Sequence, residues 1–157
     1  MQISSTQTYD ATPDQVFAMM IDEAYLAACC DRFGATERSI RVEGNSSTVN
    51  MKLPAPERVQ KFLGATLPLN QFITWNEPGA DGTRTGTLRM TVDKMPVNVE
   101  GTALLRPAGG GTEVTYQADF QVKIPLVGKK LEQEAAPVAQ RALDLQEQVG
   151  RDYLAGR

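Results

Sequence analysis

The chain has no histidine, and its only two cysteines, Cys29 and Cys30, are neighbours. Without histidine there is no common general base, no Ser-His or Cys-His nucleophile pair, and little basis for a transition-metal site. Adjacent cysteines do not form an ordinary structural disulfide, in which the Cα atoms stand about 5.5–6 Å apart across the fold. Reduced thiols on a core helix are the expectation, with a redox or arsenical-binding vicinal dithiol as the alternative. No catalytic residue, metal ligand or cofactor is assigned.

Positive charge is also scarce. Sixteen Lys and Arg stand against nineteen Asp and Glu, a net charge of −3, and no basic block interrupts the chain. A nucleic-acid partner is not expected, because phosphate binding needs a concentrated positive face. No run of about eighteen apolar residues occurs, so no integral membrane segment is expected. The opening Met-Gln-Ile-Ser-Ser has neither a charged n-region nor an apolar h-region, and a cytoplasmic location follows as the expectation. No repeat, low-complexity tract or linker breaks the 157 residues, which fit a single domain over 1–157. Nothing in the pattern sets an oligomeric state.

What is present is a long amphipathic helix after a series of strands. Val127, Leu131, Ala135, Val138, Ala142, Leu145, Val149 and Tyr153 recur every three or four residues. They predict a helix from Pro125 to Leu154, about 40 Å long, with one apolar stripe. Upstream, residues 2–9 read as a strand. Thr12-Pro13-Asp14-Gln15 combines an N-cap Thr, Pro at the first helical position and Gln at the capping-box position. Asp22 can cap a second short helix that Gly34 ends. Strands are expected over 35–43 and 48–53, joined at Gly44-Asn45, then a short helix or lid over 57–63. Further strands are expected over 67–77, 84–93 and 97–106. The last strand alternates most cleanly, with Val114, Tyr116, Ala118, Phe120, Val122 and Ile124 on one face. The order predicts an α+β fold: a curved antiparallel sheet of six to seven strands, two short helices after the first strand, and a long terminal helix lying on the sheet.

This order resembles the helix-grip fold of the START-like superfamily, which includes birch-pollen-allergen-type lipid binders and polyketide cyclases and aromatases. Tyr9-Asp10-Ala11-Thr12-Pro13-Asp14-Gln15-Val16-Phe17 is similar to the superfamily's opening phrase. Gly101-Thr102, Leu105-Arg106-Pro107, Gly111-Thr112-Glu113-Val114 and Ile124 to Glu132 resemble an uncharacterised, largely actinobacterial branch. The resemblance implies a cavity between sheet and terminal helix that takes a hydrophobic small molecule.

The candidate lining residues are therefore inward-facing ones: Trp75, Met90, Val99, Gly101, Tyr116 and Phe120 from the strands, and Leu131, Ala135, Val138, Ala139 and Ala142 from the helix. Small helix residues either pack closely or leave volume unfilled, and Gly101 in mid-strand marks a bulge or a close approach. Three functions remain open at this stage. One is a carrier or sensor of a lipid, polyketide-like or similar metabolite; another is a cyclase- or aromatase-like enzyme using the same cavity. The third is a protein-interaction module whose cavity has collapsed.

Overall fold

A computed structural model describes residues 1–156, and Arg157, the last residue of the expected domain, lies outside the described residues. The element order is β1 (Gln2–Tyr9), α1 (Pro13–Met20), α2 (Glu23–Phe33), β2 (Glu37–Glu43), β3 (Ser46–Pro54), α3 (Glu57–Leu63), β4 (Thr66–Trp75), β5 (Arg84–Val92), β6 (Val97–Ala108), β7 (Gly111–Val122) and α4 (Gly128–Ala155). The seven strands form one antiparallel sheet in the order β1-β7-β6-β5-β4-β3-β2. This is the helix-grip architecture, with α4 lying across β1 and β7 and against α2.

Local chemistry sets the helix starts. Thr12 Oγ1 accepts from Gln15 N at 3.2 Å while Gln15 Oε1 accepts from Thr12 N at 3.0 Å, a reciprocal cap with Pro13 at the first helical position. Asp22 caps α2 by accepting from Ala24 N at 2.8 Å and also takes the Tyr153 hydroxyl, which ties α2 to the end of α4.

Several boundaries shift by one to three residues from the sequence expectation, and two of the shifts have clear reasons. The terminal helix begins at Gly128, not Pro125, because Leu126 adopts φ 71°, outside the right-handed helical region. Strands β6 and β7 run on to Ala108 and from Gly111, because Gly109 and Gly110 make the whole turn with φ 57° and 82°.

The buried core falls into two clusters. The larger gathers α1, α2 and the far half of α4 over the sheet, with Tyr9, Phe17, Tyr25, Trp75, Leu105, Tyr116 and Val149 among its members. The smaller joins Val59 and Leu63 of α3 to Val92, Val97, Val122 and Leu131. Helix α4 meets the sheet most closely through glycines at these two ends. A Cβ on Gly128 would stand 2.2 Å from the Val122 carbonyl oxygen, and one on Gly150 would stand 2.6 Å from Tyr9 Cε1. The two contacts lie 22 residues apart, a span of about 33 Å along the helix.

Candidate ligand-binding hollow

Between Leu131 and Val149 no residue of α4 is fully buried. Ala135, Ala136, Ala139, Ala142, Leu143, Leu145 and Gln146 are all half-buried. The inner face of the sheet presents rows of side chains in register. One row runs Phe120, Val99, Met90, Gln71, Val49 and Ile40 from β7 to β2, and the next runs Ala118, Gly101, Leu88, Ile73 and Ser47. Phe120, Met90, Gln71, Leu88 and Leu69 are only half-buried although they point toward the helix side. Leu69 and Leu88 pack beside the larger core and Phe120 beside the smaller one, and the half-exposed stretch between the two cores is the candidate hollow. Its roof would be the α4 alanines and its floor the mostly apolar rows.

The expected lining residues divide by position. Met90, Gly101, Phe120, Ala135, Ala139 and Ala142 border the hollow, and Val99 lies buried in the floor between Met90 and Phe120. Trp75 is sealed in the larger core, edge-on to Phe17 with ring centroids 6.2 Å apart, and Leu131 is sealed in the smaller one. Tyr116 closes the far end, its hydroxyl accepting from Gln146 Nε2 at 3.4 Å and lying 3.8 Å from Met20 Sδ. Val138 is 47% exposed and stands on the solvent side of α4. The inward line passes instead through Leu131, Ala135, Ala139, Ala142, Gln146 and Val149, a spacing of three and four that shifts with the 3.6-residue turn.

Gly101 has a structural cause. A Cβ there would lie 2.3 Å from the Gln117 carbonyl oxygen and 2.8 Å from Ala118 Cα, so the close approach is that of β7 itself. Glu132, at the mouth of the smaller core, accepts from Val122 N at 3.1 Å and from the N-terminal amine at 3.4 Å.

The inner face also carries polar residues that the periodic pattern did not single out. Gln71 is the only polar side chain in its row and has no hydrogen bond among the described residues. Its signal was visible as the polar exception in the alternation Leu67, Leu69, Gln71, Ile73, Trp75. At the closed end, Tyr9 donates to Gln7 Oε1 at 2.7 Å and Gln7 Nε2 donates to the Leu143 carbonyl at 3.1 Å. Tyr25 Oη sits near Tyr9, Cys29 and Gln146 without a well-formed hydrogen bond to any of them. Burial raises the pKa of Tyr9, Tyr25 and Tyr116 and pushes the Cys29 thiol up to about 12, so these groups are neutral near pH 7. Cys30 is likewise raised by burial, and both cysteines are buried free thiols.

Two surface depressions lie outside the hollow. One of about 750 Å³ is lined by Thr8, Tyr9, Thr112 and Arg151, and one of about 540 Å³ by Lys123, Leu126, Lys129 and Glu132. Among the described residues there is no metal-binding cluster, and no helix is long and apolar enough to cross a membrane.

The chain has the helix-grip fold seen in START-like proteins. Solved structures with this fold include TTHA0849 from Thermus thermophilus, with a TM-score of 0.69 at 15% identity over 99% of this chain and 98% of that one. A STAR-related lipid transfer protein from Xanthomonas axonopodis aligns with a TM-score of 0.66 at 17% identity over 98% and 85%. A START superfamily protein from Mycobacterium smegmatis aligns at 0.59 and 18% over 98% of each chain. The chain belongs to the family described as "Protein of unknown function (DUF2505)", whose model matches residues 4–154. The uncharacterized protein Rv0481c of Mycobacterium tuberculosis is 34% identical over 110 residues, 62% of this chain. That match spans 63% of the relative's own length.

Proposed function

We propose that this protein binds a hydrophobic small molecule in the hollow between the sheet and α4, as a carrier or sensor. The observation that carries this reading is the row of half-buried side chains Phe120, Met90 and Gln71 on the inner face of the sheet, together with the half-buried alanines in the middle of α4. Apolar surface of this kind gains free energy when a ligand covers it, at roughly 25 cal/mol per Å² removed from water. Gln71 offers the floor an amide that can donate and accept, which suits a ligand with one or two oxygens on an otherwise apolar frame. The lipid-transfer neighbour supports the same reading through its fold.

The test is native mass spectrometry of protein purified from its own host, followed by thermal shift against a panel of lipids and neutral ring compounds. A bound apolar species, or a Tm rise that Ala139→Phe abolishes while the variant melts like the parent, is the expected result. Absence of any bound species or shift, with Ala139→Phe more stable than the parent, would show a gap that no ligand occupies. Gln71→Leu should narrow the panel to ligands without oxygen.

A further inference from the structure

At the end of the molecule built on the smaller core, two local preferences are broken side by side. Leu126 holds φ 71°, a left-handed conformation that favours glycine or asparagine, and its side chain is fully exposed, at 105% of the reference value. Directly after it, Lys129 and Lys130 occupy the first turn of α4, which has no acidic residue. The helix dipole disfavours cations at that position. Neither arrangement helps the loop or the helix to fold, so both point to a use outside the chain.

The rest of this end agrees. Five of the six lysines are placed here: Lys61 on α3, Lys94 in the β5–β6 turn, and Lys123, Lys129 and Lys130 around the β7–α4 loop. Each lies within two positions of a residue packed in the smaller core, and Lys123 N donates to the Pro96 carbonyl at 2.8 Å, joining the turn to the loop. All five are exposed, and none is ion-paired among the described residues, whereas Lys52, elsewhere, pairs with Glu37. Of the nearby acids Glu134 pairs with Arg58 and Glu132 with the N-terminal amine, while Glu57 and Asp93, the latter hydrogen-bonded to the neutral Asn70 amide, leave two negative charges against the five lysines. A chain with net charge −3 thus gathers an excess of positive charge at this end, where Lys123 and Lys129 share a surface depression with the projecting Leu126 and Phe62 is 38% exposed under Lys61.

We propose that this end docks on an anionic lipid surface, with Leu126 entering the headgroup boundary and the five lysines held over the negative plane. A fluid bilayer matches these features better than a protein surface does. The cations are long, hydrated side chains spread over three segments, and the apolar element is a tip, not a shape-specific groove. Attraction of juxtamembrane lysines to acidic lipids acts within about a Debye length, roughly 8–10 Å, which the loop and turn residues can share. The proposal stands independently of what occupies the hollow.

Co-sedimentation with vesicles of phosphatidylcholine, with and without phosphatidylserine, tests it. The protein should pellet with the serine-lipid vesicles and not with phosphatidylcholine alone, and added salt should release it. Leu126→Gly relieves the left-handed strain, so it should melt at or above the parent temperature while partitioning about tenfold more weakly. Lys129→Glu with Lys130→Glu should weaken partitioning by at least as much. Leu126→Trp should show blue-shifted emission, quenched by brominated lipid, only with the acidic vesicles. Equal pelleting with both vesicle types, or variants that partition like the parent, would overturn the proposal, as would lysine-dependent capture of a protein with no vesicle binding.

Discussion

Gly101 illustrates how a single residue carries meaning that only its neighbours reveal. In the sequence a glycine in mid-strand marks either a bulge or a close approach, and the approach here is the backbone of β7 at Gln117 and Ala118. Backbone cannot rotate aside as a side chain can, so Gly101→Ala should cost about 1–3 kcal/mol or more. Urea denaturation measures this directly. A loss of ligand binding with stability intact would instead mean that a ligand needs the space. Gln71 is the opposite case. It was legible as a break in the inward alternation, but the structure was needed to place it between Met90 and Val49 in a half-buried row.

At the scale of elements, α4 behaves as two anchors joined by a span. Leu131 packs against Val59 and Leu63 of α3 at one end, and Val149 joins Tyr9 and Met19 at the other. The alanines between them bury little. Leu131→Ala should therefore destabilise by about 2–5 kcal/mol, whereas Val138→Ala, on the solvent side, should stay within about 0.5 kcal/mol. Thermal and denaturant melts of the two variants decide whether the helix is rotated as described. A large cost at Val138 would place the apolar stripe where simple spacing first put it. That stripe was legible to within one position because amphipathic periodicity defines a face. The exact rotation was not, because it follows from how Gly128 and Gly150 seat on Val122 and Tyr9.

For the whole molecule, the buried acids dictate how stability responds to base. Cys29, Tyr9, Tyr25 and Tyr116 all have folded pKa values raised by burial, Cys29 to about 12. The unfolded chain releases these protons sooner, its thiols near 9.0 and its tyrosines near 10.0. Stability from these groups is complete below the unfolded thiol value and is lost as pH rises through the folded values. Urea midpoints should hold steady from about pH 7 to pH 8.5 and then fall through pH 11. In Cys29→Ala with Cys30→Ala the fall should begin later, where unfolded tyrosines ionise. A midpoint that is flat to pH 11 would mean that these groups are not buried as described.

The amino-acid sequence alone determined the elements, their order and the face that each buries. Capping residues, turn glycines and side-chain periodicity act over a few positions and need no distant partner. Tertiary structure decided which α4 residues are sealed in the two cores and which stay half-exposed between them, and with that which inward sheet residues are core and which belong to the candidate site. It also brought five lysines from three separated segments to the end of the molecule built on the smaller core, where Leu126 is exposed. Such arrangements depend on contacts between residues far apart in the chain, and local pattern carries no record of the gaps those contacts leave.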